Sequence, residues 1–171
     1  MKALALIALG SNLGDSAANV RRAFDVLRKL SAEPIRCSSL WRSTPVDCPP
    51  GSPLFVNAAV ALAPRAGETP ESLLVQLQAI EKEFGRQPKR MLNEPRPLDL
   101  DLIAFGDEVC NTAGLALPHP RAHLRRFVLQ PLSEVAPDFV LPGQNVHILE
   151  LLQRLPPDEE FVRLSGEAEG H

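Results

Sequence analysis

The chain has no tyrosine, one tryptophan and seven phenylalanines in 171 residues. That is too few aromatics for the base-stacking strands of an RNA-binding sheet, and none of them fits that pattern. Three cysteines (Cys37, Cys48 and Cys110) are an odd number without paired spacing. They imply neither a disulfide framework nor a zinc site, and a reducing cytoplasm is the expected compartment. No stretch approaches the ~18 uninterrupted apolar residues of a membrane span. The apolar run 3–9 lacks a cleavage pattern and is expected to be a buried strand, not a signal peptide. The phosphate loop G-x-x-x-x-G-K-[ST], the dinucleotide fingerprint G-x-G-x-x-G and the protein-kinase set are all missing. Net charge is −3, which argues against a general nucleic-acid binder.

What is present fits one folded domain spanning 1–171, since a domain takes roughly 100–200 residues. Residues 3–9 predict a central strand, apolar on both faces. Asp15 or Ser16 caps a helix to about Leu30, with Val20, Ala23, Phe24 and Leu27 at helical spacing. Residues 35–42 alternate as a half-exposed strand. A proline-rich loop, 43–53, leads to a returning strand, 54–62. Thr69 caps a second helix with Pro70 at its first position, and Gly85 stops it. A basic loop, 86–97, precedes a strand over 98–105, followed by a turn at Gly106-Asp107 and a short partner from Glu108 to Cys110. Beyond that come a short helical segment near Val128, disturbed by Pro131, a helix from Ile148 to Leu155, and an edge strand from Phe161 to Leu164. The acidic tail 158–171 is expected to be a solvated, partly disordered end. The order β-α-β-β-α-β plus a C-terminal extension predicts an α+β, ferredoxin-like sheet with helices on one face.

Chemistry concentrates at Leu98-Asp99-Leu100-Asp101-Leu102. Residues two apart on a strand share a face, so Asp99 and Asp101 project together, roughly 6–7 Å apart, while the leucines point to the core. Adjacent carboxylates repel unless a cation lies between them. Mg²⁺ suits such a pair, with water and phosphate completing its shell. A solvated strand face with two acids is the plain alternative. The nearby Arg86, Lys89, Arg90 and Arg96 add permanent positive charge that matches phosphate oxygens. A second basic cluster, His119 to Arg126, places His119 in extended backbone before Pro120, where it can donate to phosphate or equally serve a structural role. Two local basic stretches inside an acidic protein suit a compact anionic ligand.

Six motifs in order then carry a resemblance: Ala-Leu-Gly-Ser-Asn-Leu-Gly-Asp (8–15), Ser-Thr-Pro (43–45), Phe-Val-Asn-Ala-Ala-Val (55–60), Ile-Glu-Lys-Glu-Phe-Gly-Arg (80–86), Pro-Arg-Pro-Leu-Asp-Leu-Asp-Leu (95–102), and Leu-Pro-His-Pro-Arg (117–121) with Arg-Phe-Val-Leu-Gln-Pro-Leu (126–132). Over about residues 3–142 the chain resembles 6-hydroxymethyl-7,8-dihydropterin pyrophosphokinase, a family of folate biosynthesis. The resemblance implies transfer of diphosphate from ATP to the pterin hydroxymethyl group, release of AMP, and two Mg²⁺ ions. It implies Asp99 and Asp101 as metal ligands, and Arg86 and Arg96 beside them as catalytic groups. It implies a pterin site of Thr44, Val46, Phe55, Asn57 and Phe127. For ATP it implies Gln78, Glu81, Arg86, Arg96, His119 and Arg125. The partners expected are these two small molecules, with no nucleic acid and no membrane, on a cytoplasmic monomer. Where many relatives carry Arg-Trp-Gly, this chain has Leu92-Asn93-Glu94. A nucleotidyltransferase with a strand-borne Asp-x-Asp is the nearest rival, and a ferredoxin-like RNA-binding module the other.

Overall fold

The computed structural model describes residues 3–43, 54–85 and 97–164. All but Ser43 of the expected loop 43–53 and all but Pro97 of the expected loop 86–97, with Thr44, Val46, Arg86, Lys89, Arg90 and Arg96, and residues 165–171 lie outside the described residues.

Strand β1 (Ala5–Ser11) is buried along its whole length. It sits between β4 (Phe55–Leu62) and β5 (Asp99–Phe105), antiparallel to both. The sheet runs β5-β1-β4-β3-β8, with β3 spanning Trp41–Ser43, β8 spanning Val162–Arg163, and the short β2 (Arg36–Cys37) also on β4. Each β-α-β connection therefore crosses over one intervening strand. Helix α1 (Ser16–Arg28) starts at Asp15, whose carboxylate accepts from the Ala18 amide at 3.2 Å. Helix α2 (Pro70–Glu83) starts with a capping box: Thr69 and Ser72 each take the other's backbone N–H. Gly85, at φ +94°, ends it in a conformation other residues adopt only with strain.

Helices cover both faces of the sheet, not one. Ala5, Ile7, Leu9, Val60, Leu100 and Leu102 pack against α1 and α2. Leu6, Ala8, Ala59, Ala61 and Ile103 pack against α3 (Arg126–Val135) and α4 (Ile148–Gln153). A strand apolar on both faces requires this arrangement, because each exposed Leu or Ile side chain would forfeit about 1.5–3 kcal/mol of burial.

Four expectations need correction. The strand over 35–42 breaks into β2 and β3, because Ser38 turns inward and its hydroxyl takes the Ala59 N–H at 2.8 Å. The break shifts the alternation by one residue, so Leu40 is buried with Cys37 against the same core. The short partner after Gly106 does not pair with β5. Instead β6 (Cys110–Asn111) pairs with β7 (Ala116–Leu117) in a separate ribbon. Pro131 sits inside α3 and does not break it. The loss of one i→i−4 bond is offset by burial of Val128, Leu129, Leu132 and Val135. Finally, the expected tail 158–171 does not begin as loose chain: the edge strand expected over 161–164 is present as β8, which closes the sheet edge on β3, and the Leu164 amide donates to the Leu40 carbonyl at 2.9 Å.

Candidate active site

The sheet register lines up one row of side chains. Asp99 lies opposite Gly10, Gly10 opposite Asn57, and Asn57 opposite Trp41. Directly paired residues share a face, so these four point to the α3 side of the sheet. Asp101 lies opposite Ala8 one step along the same face. Both aspartates are half-buried, while Leu98, Leu100 and Leu102 are buried. The two-residue period thus puts the carboxylates together at the end of an edge strand, where one flank is open.

Gly10 leaves a slot between Asp99 and Asn57. A β-carbon there would meet the Phe55 ring at 3.6 Å and Asn57 Oδ1 at 3.8 Å. Asn57 is buried and donates from Nδ2 to Ser43 Oγ at 2.6 Å, which leaves Oδ1 facing the slot. From α3, the partly buried Phe127 joins the second core, and the Arg125 guanidinium lies 5.3 Å from its ring centroid. An alanine at position 10 makes ordinary contacts, so Gly10→Ala is expected to keep turnover within a few-fold. Gly10→Leu fills the slot and is expected to cost ~100-fold in kcat/KM for a planar substrate, as misplacement of about 1 Å does. Steady-state kinetics of the two variants checks this.

His119 stands beside the dyad at the outer edge of β5. Its amide donates to the Ile103 carbonyl at 2.9 Å, and its Nδ1 accepts from the Arg121 amide at 3.3 Å. The ring's remaining nitrogen, Nε2, then carries the proton of the neutral form and can donate to an anion. Burial, then Arg125 and Arg121, push its pKa below the usual 6.5, and Asp99 pulls the other way. A depressed histidine pKa means the unfolded chain takes up the proton first on acidification. Its contribution to stability is therefore complete above pH 6.5 and is lost as pH falls from there through the lowered folded value. Melting from pH 8 to 5 is expected to show a smaller acid-side loss for His119→Gln than for the unsubstituted chain.

A cavity of about 270 Å³ opens next to these groups, with Asp101 and His119 on one side and Leu74, Leu102, Leu115 and Thr112 around it. It has room for a flat aromatic ring with a charged extension toward the dyad. Of the residues expected on the nucleotide side, Gln78 is exposed one turn beyond Leu74. Glu81 is buried beside β5: its carboxylate accepts the amide of Leu100, a residue of the cavity wall, at 2.8 Å. Leu74, Leu102 and Leu115 gave no sign in the sequence beyond core periodicity. Nor did Asn19, whose Nδ2 donates to the carbonyls of Leu13 (3.1 Å) and Pro97 (3.2 Å) and ties the turn after β1 to the approach to β5.

The sequence profile of the 7,8-dihydro-6-hydroxymethylpterin-pyrophosphokinase (HPPK) family matches residues 6–137. This chain belongs to the HPPK family. A 2-amino-4-hydroxy-6-hydroxymethyldihydropteridine pyrophosphokinase of Synechocystis sp. is 40% identical over 152 residues, 88% of this chain and 75% of that protein. One of Haemophilus influenzae is 36% identical over 94% of this chain and 98% of that protein. Among solved structures, a Plasmodium falciparum HPPK-DHPS bound to pteroate superposes with a TM-score of 0.67 at 14% identity. That likeness covers 90% of this chain and 42% of the longer one, and it concerns the fold. The fold shared with that family is a mixed helix and antiparallel-sheet framework, and it carries the row described above.

Proposed function

We propose that this chain transfers the terminal diphosphate of ATP to the hydroxymethyl group of 6-hydroxymethyl-7,8-dihydropterin, releasing AMP, in folate biosynthesis. The observation that carries this reading is the shared row. Two carboxylates on β5 face the same side as Asn57 and Phe55 on β4, with Gly10 as the gap between them. The phosphate-handling end and the ring-binding end are adjacent, as a transfer between two small molecules requires.

The donor set fits a hard cation. Asp99 and Asp101 offer only oxygen, and among the described residues no cluster of three or more His, Cys, Asp or Glu is placed to hold a metal ion. Mg²⁺ bound through two carboxylates, its shell completed by phosphate and water, matches that set, and two ions are proposed. When bound, Mg²⁺ supplies charge neutralisation on the phosphates and a lower pKa for the attacking hydroxyl. The rest falls to the chain's own groups. Asn57 Oδ1 accepts a ring N–H, Phe55 and Phe127 bound the ring's faces, and His119 Nε2 donates to a phosphate oxygen. Arg125 adds a fixed positive charge, and the 270 Å³ cavity takes the nucleotide base. Thr44 and Val46 complete the pterin site in this reading, Arg86 and Arg96 the phosphate site, and Gln78 and Glu81 the nucleotide side. Among the described residues no side chain is assigned as a general base beyond the aspartates, so in this reading positioning and electrostatics supply the rate.

The same reading takes the sheet as the ferredoxin-like βαββαβ arrangement, supported by its crossed strand order, with β8 as part of a C-terminal extension. It takes the chain as a monomer at work in the cytoplasm. Among the described residues no helix is long and apolar enough to cross a membrane.

Product analysis tests the proposal. ATP, Mg²⁺ and the pterin should yield AMP and a diphosphorylated pterin in equal amounts. Release of free pyrophosphate with a nucleotidylated pterin would mean attack at the α-phosphorus and would overturn it.

A further inference from the structure

We propose that Glu134 is a positioning residue that, through Trp41, sets the spacing between the two walls of the pterin slot. This rests on the functional reading above and deepens it.

The walls come from different elements: Phe55 and Asn57 from β4, Phe127 from the first turn of α3. Glu134 lies near the far end of that helix. Its carboxylate accepts three hydrogen bonds, all from one corner between β2 and β3: the Ser39 amide at 3.1 Å, the Ser39 hydroxyl at 2.8 Å and the Trp41 indole N–H at 2.9 Å. Trp41 is directly opposite Asn57 in the sheet, and Ser43, two residues on, holds the Asn57 amide. One side chain of α3 is thus tied to the strand that orients Asn57.

Two further contacts hold Trp41 in place. The Phe161 ring stacks on its indole with centroids 5.2 Å apart and planes 6° from parallel. Behind it, β8 pairs with β3 so that Arg163 lies opposite Trp41. The C-terminal strand therefore backs the same corner. With Trp41 held by this stack and strand pairing, its bond to Glu134 acts together with the Arg36 guanidinium, which donates to the Val135 carbonyl at 3.2 Å, to fix the axial position of α3. A helix is stiff, and Phe127 lies about 10 Å from Glu134 along it at 1.5 Å per residue. A slide at Glu134 moves Phe127 by a similar amount.

A purely structural role is a poorer fit. Helix α3 is already anchored by Val128, Leu129, Leu132 and Val135, all 3% exposed or less. Apolar packing of that kind is non-directional and tolerates a small slide. Directional bonds from an exposed carboxylate to one corner add little burial, but they fix register.

The test compares Glu134→Ala, Glu134→Gln, Ser39→Ala and Trp41→Phe with the unsubstituted chain, measuring kcat and the KM of each substrate. Removal of the acceptor in Glu134→Ala is expected to raise the pterin KM about tenfold, the scale of one or two lost charged hydrogen bonds. The ATP KM and kcat should stay within about twofold, because the dyad on β5 is not displaced. Glu134→Gln keeps one carbonyl acceptor and should recover most of the pterin affinity. Trp41→Phe keeps the stack but loses the indole donor and should fall between, as should Ser39→Ala, the mildest change if Glu134→Ala folds poorly. An unchanged pterin KM in Glu134→Ala or, if that variant does not fold, in both milder variants overturns the proposal. So does an equal rise for both substrates. If the unsubstituted chain releases no AMP, the functional reading fails first and takes the proposal with it.

Discussion

Asp101→Ala is expected to lose at least about a thousandfold in kcat with Mg²⁺ and ATP, the scale seen when a charge-stabilising group is removed from a phosphoryl-transfer site. Folding should be nearly unaffected. Asp101 is half-buried on an edge strand, and its removal relieves repulsion with Asp99 one step along the same face. A melting temperature within a few degrees of the unsubstituted value, beside the activity loss, would separate chemistry from stability. Asp101→Asn keeps the shape and removes the charge, so it should be almost as inactive. Retention of more than about a tenth of the activity in Asp101→Ala would show that the dyad does not hold the metal, since a first ligand to a catalytic ion cannot be that dispensable.

The second large effect is expected at Glu81, through the backbone. β5 is the edge strand of the sheet, so the Leu100 N–H has no neighbouring strand to receive it. The Glu81 carboxylate, 8% exposed, accepts it at 2.8 Å from α2. Leu100 is the residue between the two aspartates. Glu81→Ala leaves that buried amide without its acceptor, at a cost of about 1–3 kcal/mol. For a chain of this length that lowers the melting temperature by roughly 2–10 °C. Turnover should fall by about ten- to a hundredfold as the dyad shifts by a fraction of an ångström to an ångström. Glu81→Gln retains a carbonyl oxygen and should recover most of the stability. Thermal melts and single-turnover rates on the three proteins would decide the matter; a Glu81→Ala protein that melts and turns over normally would show that another group serves the amide.

Much of the site is visible in the sequence because its logic is local. The two-residue period of a strand is enough to put Asp99 and Asp101 on one face with the leucines on the other. Asp15, Thr69 and Pro70 mark helix starts, since unsatisfied N–H groups in a first turn select those residue types. The order of motifs from the Gly-Ser-Asn turn to His119 was enough to suggest the family.

Where the reading of the sequence failed, the deciding contact was distant. Nothing near Ser38 says that its hydroxyl will take the Ala59 amide, break the strand and bury Leu40. The helical run around Pro131 looks fragile until the sheet face that covers it is known. That the Glu81 carboxylate meets the Leu100 amide depends on the place of β5 at the edge of the sheet, which no neighbouring residue records.

The sequence by itself determined most of the long elements, their caps, the shared face of the aspartate pair and the family. Those depend on periodicity and turn chemistry over a few residues. The tertiary structure alone decided that Gly10 falls between Asp99 and Asn57, that α3 and α4 cover the second face, and that Glu134 meets Trp41. Such pairings follow from strand order and register, which are set by burying two apolar faces at once across long sequence separations, and no local pattern records them.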